Sequence, residues 1–401
     1  MSAKVATNVE SSESIPTDFE VEHVLTVAGG HFISDTYTAF LAPLLPQIMQ
    51  SLSISLTLAG SLSAILQFPA VLNPLIGYIA DKINLRYLII FTPAITGTLI
   101  SMMGLAPNYF ALAILLFVTG ISVAGFHAPA PAMVAAVSHR RVGKGMSIFM
   151  AAGELGRTIG PLLAVWAVSV WSLEGIYHLV VLGWAASIVL FFRLRKVSAR
   201  PAKPGSIRSI LPAMRNLYLP LAGVMIFRNF MIASLTVYLP TYMGEQGASL
   251  WVGGSALSIL EVAGVAGALT SGTISDRLGR RTVLLAAMIA STIGMLLFLS
   301  LSGWLVVPVL LWLGFTALSS LPVMMAIVQD YLPNNRAIGN GFYMLFNFLL
   351  QSLAVLAVGY LGETYGLKQA FTWSAWAGLL AAPAILSLPG KKISPVKSET
   401  V

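Results

Sequence analysis

Cysteine is absent from the chain, which excludes a disulfide framework and thiol chemistry. Charge is almost as scarce. Asp, Glu, Lys and Arg make up 9% of the residues, against about 25% in a soluble domain. The apolar-polar alternation of a membrane barrel, about ten residues per strand, is missing too. So are a phosphate-binding glycine loop, a nucleophile motif and a metal-ligand spacing. These gaps argue against an enzyme, a cofactor, a metal site and transport driven by ATP.

What remains is apolar. The 401 residues are 57% hydrophobic, with a mean hydropathy of +0.84. Runs of roughly 20 apolar residues suit helices crossing a hydrocarbon core of ~30 Å. The expectation is an all-α, multi-pass protein of the cytoplasmic (inner) membrane. Twelve transmembrane segments can be marked. The first six fall near 23–49, 56–81, 86–105, 109–137, 143–171 and 174–195, and the second six near 216–243, 250–275, 281–301, 304–331, 336–363 and 367–388. The domains follow: a tail over 1–22, a six-helix half over 23–195, a polar basic linker over 196–215, a second half over 216–388 and a tail over 389–401. Residues 1–22 are polar and acidic, without a basic stretch abutting an apolar run. They are expected to be a disordered cytoplasmic tail, not a cleaved leader.

The net charge of +8 is explained by topology without nucleic acid. With both termini in the cytoplasm, all of the 23 basic residues except Lys368, Arg157 and Arg228 fall on the inner side or at its margin, as the positive-inside rule requires. Two related halves are written in the loops. Gly272, Asp276, Arg277, Arg280 and Arg281 in GTISDRLGRR have a weaker copy half a chain earlier: Gly77, Asp81, Lys82 and Arg86 in GYIADKINLR. Pro46 likewise matches Pro240, and Gly143 and Gly145 match Gly339 and Gly341. Repeats of this kind place a transporter's substrate site near the midplane, between halves related by a pseudo-two-fold axis.

GTISDRLGRR resembles the loop between helices two and three, and again between eight and nine, of the major facilitator superfamily. The resemblance covers the chain outside its tails and implies a cytoplasmic gate built from both loop copies. Asn84 and Leu85 depart from the pattern. Gly153, Gly156, Gly160 and Pro161 in segment five resemble the superfamily's antiporter motif, which implies export by exchange. Small residues four apart let helices cross closely. Gly30, His31 and Asp35 in segment one, with Phe126 and His127 in segment four, resemble the fosmidomycin-resistance branch. The continuation Ala-Pro-Ala-Pro-Ala after His127 departs from that branch, and Pro129 and Pro131 are expected to distort the helix.

Charged groups inside a span are costly, and are functional candidates by default. His31 and Asp35 (i,i+4) and Glu154 and Arg157 (i,i+3) each share a helix face. Glu154 lies about 16 Å along its helix from Gly143, at 1.5 Å per residue. Asp35, Glu154 and Glu261 outnumber Arg157 and Arg228 by one. Low dielectric disfavours the charged form of an unpaired carboxylate, as a proton-coupled carrier needs. Asp35 leads as the proton-coupling group, followed by Glu154 and Glu261, with His31 as modulator. Substrate contacts are expected from His127, Arg157, Arg228, Tyr37, Gln67, Asn229 and Asn347. For Arg228, bracing through Glu261 competes with binding an anion; for Glu154 and Arg157, a packing ion pair competes with a role in transport.

The leading function is proton-coupled efflux of a small organic molecule by alternating access, with protons and the bilayer as partners and a monomer as the unit. One alternative is an importer or uniporter of an organic anion held by Arg157 and Arg228. Another is a transporter-like receptor or assembly protein.

Overall fold

The computed structural model describes residues 19–80, 85–197, 214–332 and 336–389. They are almost wholly helical and contain no strand. In hydrocarbon the backbone has no water to bond, and a helix satisfies its polar groups internally. The α-helices in chain order are α1 (Val21–Thr38), α2 (Leu41–Leu52), α3 (Leu56–Gln67), α4 (Asn73–Ala80), α5 (Arg86–Ser101), α6 (Tyr109–His127), α7 (Ala130–Val137), α8 (Val142–Trp171) and α9 (Val180–Leu194). There follow α10 (Leu219–Ala233), α11 (Leu239–Glu245), α12 (Leu250–Leu278), α13 (Arg280–Ser300), α14 (Val306–Leu318), α15 (Ser320–Tyr331), α16 (Arg336–Tyr365), α17 (Leu367–Leu379) and α18 (Ala382–Ser387).

Several of these join end to end, and among the described residues 10 resulting helices are long and apolar enough to cross a membrane. The segments near 23–49 and 56–81 are built differently. The first bends at Ala39 and Phe40, between α1 and α2. The second passes through a 3-10 turn, Phe68–Leu72, opened by Pro69. Prolines explain other breaks. Pro129 and Pro131 end α6 at His127 and restart the chain as α7, as expected. Wide π-type turns over Met214–Tyr218 and Ser234–Tyr238 run into Pro220 and Pro240, each of which lacks the amide hydrogen that would bond the carbonyl four residues back.

Helix pairing repeats along the chain. The pairs α1–α8, α5–α9 and α3–α6 early in the chain recur as α10–α16, α13–α17 and α12–α14. Even the caps repeat: Leu58 N–H donates to Ser55 Oγ and Val252 N–H to Ser249 Oγ, both at 3.4 Å. The early and late sets meet along α8–α12 and α3–α16.

The core is not divided evenly. One large cluster takes residues from both sets at one end of the bundle, among them Leu44, Leu45, Leu62, Leu235, Leu257 and Val355. The other clusters belong to one set each: one around Phe126, Phe149 and Leu190, the other around Leu221, Leu284 and Tyr343. At the shared end Tyr238 lies between Gly60 and Gly359, where a Cβ on either glycine would strike its hydroxyl. That hydroxyl donates to the Val355 carbonyl at 2.8 Å, and Thr57 N–H donates to Glu363 at 2.8 Å. Glycine is required at both positions for helices to approach this closely.

Candidate functional site

Helices α1, α6, α8 and α12 bring most of the intramembrane charge to one place. α8 is held against α1 by the glycines of the antiporter-like motif. A Cβ on Gly153 would enter the His31 ring, one on Gly156 would strike the Phe32 carbonyl, and one on Gly160 the Thr36 carbonyl. The same face of α1 therefore carries the functional side chains and contacts the glycine groove. Pro161 directly follows Gly160, its carbonyl 3.5 Å from where a Cβ on Gly254 of α12 would stand.

His31 is tightly fixed. Its ring stacks on Phe149 at 4.0 Å between centroids and lies 6.0 Å from Phe126. Its Nδ1–H donates to the Phe149 carbonyl at 2.8 Å, and the Nδ1–H of His127 donates to the Val123 carbonyl at 3.0 Å. A carbonyl only accepts, so these bonds assign the ring proton to Nδ1 in both histidines. Each Nε2 then turns inward. The two Nε2 atoms are 3.2 Å apart, and Asp35 lies 3.4 Å from that of His31 and 3.1 Å from that of His127.

Arg157 is the hub of the remaining charges. It pairs closely with Glu154 on its own helix. It also stands 3.9 Å from Asp35 of α1 and 3.9 Å from Glu261 of α12. Its side chain keeps 43% of its accessibility, while those of Asp35 and Glu261 keep 6% and 9%. The hub thus faces an accessible space, and the acids around it are largely desolvated.

Arg228 does not join this cluster. It is buried, and donates to Ser320 Oγ at 2.5 Å and Asn229 Oδ1 at 3.0 Å. Among the described residues no carboxylate lies within 4.0 Å of it, so the expected brace to Glu261 is replaced by neutral partners. Asn229 is fully buried and donates to the Asn347 backbone carbonyl at 3.4 Å. The Oδ1 of Asn347 is buried without a partner. Tyr37 is also interior: its hydroxyl donates to the Leu179 carbonyl and accepts from Gly183 N–H. Gln67 is half-buried at the end of α3.

The loop residues divide by whether the structure describes them. Asp81 and Lys82 lie outside the described residues. The path of Gly77 in α4 is described, and Arg86 donates to the Val197 carbonyl at 3.3 Å. Arg280 pairs with Asp276 at 2.7 Å and Asp330 at 3.2 Å, and donates to the Gly272 carbonyl. Arg281 donates to the Leu388 carbonyl. Arg277 closes α12. All contacts named for the second copy stay within 216–388 and tie α12, α13 and α15 together.

Sequence reasoning missed the aromatic bed under His31 and the Tyr238 wedge. The apolar segments are rich in phenylalanine and tyrosine, and nothing in spacing singles these out.

A family model described as Major Facilitator Superfamily matches residues 27–355 and 254–400. The chain is 23% identical over 388 residues to the fosmidomycin resistance protein of Escherichia coli (strain K12), covering 94% of each. It is 23% identical over 280 residues to the multidrug resistance protein MdtG of Escherichia fergusonii, covering 66% of this chain and 68% of that one. A solved D-xylose-proton symporter matches with a TM-score of 0.76 at 16% identity, covering 94% of this chain and 99% of that one. At that identity the likeness is one of fold.

Proposed function

Given that the chain belongs to the Major Facilitator Superfamily, we propose that it is a proton-coupled exporter of a small organic molecule. It is an integral multi-pass transporter; direction and coupling are the proposed part. The repeated helix pairs and matching caps support twelve spans in two six-helix halves, 23–195 and 216–388, joined by 196–215. The bent segments α1–α2 and α3–α4 are read as the two spans beyond the ten long apolar ones. Lysine and arginine placement supports an inner-membrane protein with both tails in the cytoplasm. The shared core at one end and separate cores at the other support an inward-open resting form. The names of the fosmidomycin and multidrug resistance relatives support efflux.

One observation carries the coupling: Arg157 of the first half stands between Glu154 and Asp35 of that half and Glu261 of the second. Glu154 is on the same helix and stays with Arg157 in every conformation. Glu261 is the carboxylate left alone when α8 and α12 part. An unpaired carboxylate in low dielectric binds a proton in preference to staying charged. Opening and closing the α8–α12 seam therefore loads and unloads a proton. This moves the leading coupling role from Asp35, which has two histidines beside it, to Glu261.

The test is transport in proteoliposomes under an imposed pH gradient. Glu261→Gln is expected to exchange substrate but to lose its response to the gradient. Full gradient-driven flux in that variant refutes the assignment.

A second reading has a specific observation behind it. Arg228 is a buried cation without a carboxylate among the described residues, beside the unpartnered Oδ1 of Asn347. Both features suit an importer or uniporter of an organic anion, with Arg157 as second ligand. In that case Arg228→Gln raises KM and a pH gradient changes little.

A further inference from the structure

We propose that His31, Asp35 and His127 form a binding site for one divalent transition-metal ion of the zinc type. The first argument is geometric. The two Nε2 atoms lie 3.2 Å apart, with Asp35 Oδ1 3.1 Å from that of His127 and Asp35 Oδ2 3.4 Å from that of His31; with one donor atom taken from each residue, all three lie within 4.8 Å of one another. Around a tetrahedral ion with bonds of about 2.0–2.1 Å, neighbouring donor atoms stand about 3.3 Å apart. The two nitrogens already stand near that spacing, and a turn of the Asp35 carboxylate brings one oxygen to it.

The second argument is the direction of the lone pairs. Both Nδ1–H groups are committed to backbone carbonyls, so each ring, when neutral, presents its Nε2 lone pair to the other and to a carboxylate. Acceptors converging on one point require a positive centre between them. A backbone carbonyl on the far nitrogen is also the outer-shell arrangement that orients metal-binding histidines. His31 is further locked by the Phe149 stack and the Gly153 gap.

The third argument is charge. Asp35, Glu154 and Glu261 surround one guanidinium, Arg157, leaving two uncompensated negative charges in a low-dielectric span. A divalent cation neutralises them. Arg157 repels such an ion, but its nearest partner is Glu154, and it stands 3.9 Å from Asp35 Oδ2, outside hydrogen-bond distance. Two imidazoles and one carboxylate suit zinc, cobalt, nickel or iron(II) over magnesium or calcium. The His127 side chain is 30% accessible, so the fourth coordination position faces open space and takes water or a donor atom of a ligand. The inference concerns binding alone and does not depend on export or proton coupling.

The test uses the full chain, purified in detergent and stripped with a chelator. Zn²⁺ is titrated calorimetrically, and Co²⁺ is followed by its visible absorption. One ion per chain is expected, with the intense bands of four-coordinate cobalt. His127→Gln and Asp35→Asn should each weaken binding by at least the roughly 10–100-fold that outer-shell changes already cost. His178→Gln and His139→Gln should leave it unchanged. A wild-type chain that binds no ion at unit stoichiometry, holding a shared proton only, overturns the proposal. So does binding that survives His127→Gln or disappears in His139→Gln. If Asp35→Asn does not fold, His127→Gln, with its ring partly open to solvent, decides the matter alone, its folding verified by Tm.

Discussion

The early and late helix sets carry opposite kinds of polar centre on similar frames. In the early set, acids and histidines crowd around Arg157. In the late set, Arg228 lies among a serine and amides. The frames agree in helix pairing and in the Ser55 and Ser249 caps. The chemistry trades places: Asp35 has Asn229 near its counterpart position, and Glu261 has Gln67 near its own. The two sets thus share what packs and differ in what titrates. Asp35 and Glu261 each have an amide near the matching position, and the charge collects in a single cluster that crosses the α8–α12 seam. Two equal clusters would hold each set in place independently. One shared cluster couples the sets to each other.

The largest expected break comes from Arg157→Met, which strands three acids. Breaking a buried pair costs about 3–5 kcal/mol. The half-open Arg157 side chain should place the loss at or below the low end of that range, read as a fall in Tm together with loss of substrate flux. Next is Gly153→Val, which drives side-chain atoms into the His31 ring and parts α1 from α8. Overpacking of this kind costs about 1–3 kcal/mol, and flux should fall with it, whereas Gly272→Val, with open space at its Cβ, should fold normally.

Arg228→Gln sharpens the comparison from the other side. Its partners are neutral and uncharged replacements can keep their bonds, so stability should change by less than about 1.5 kcal/mol. A rise in KM of about tenfold with unchanged kcat would identify Arg228 as a substrate ligand; an unchanged KM would leave it a brace. The smallest effect tests the frames. Ser55→Ala and Ser249→Ala should each cost about 0.5 kcal/mol, the low end for a cap because both bonds are long. Unequal Tm losses would show that the two frames are not equivalent at these loops.

The charged side chains and their face-sharing pairs were legible because helical spacing places i,i+3 and i,i+4 residues together. His31 with Asp35 and Glu154 with Arg157 follow from that rule alone. Gly153, Gly156 and Gly160 were legible as a crossing point. Which helix they cross was not, nor that His31 fills the gap left by Gly153. The counting of charges gave an excess of one acid because it paired Arg228 with Glu261; with Arg228 on neutral partners, the cluster around Arg157 carries an excess of two. Arg157 stands beside Glu261 instead, because α8 lies against both α1 and α12 and a single guanidinium reaches all three acids.

Composition and periodicity by themselves determined that this chain is helical and multi-pass, since burying a backbone in hydrocarbon leaves few other solutions. Local spacing determined which side chains share a face. Only the tertiary structure decided that His31, His127 and Asp35 converge, that Arg157 meets acids of both the early and the late helix sets and that Arg228 stays within the late one. Those contacts join residues on different helices, with long stretches of chain between them. Their distances depend on helix crossings set by glycines and prolines, and one-dimensional spacing does not encode a crossing.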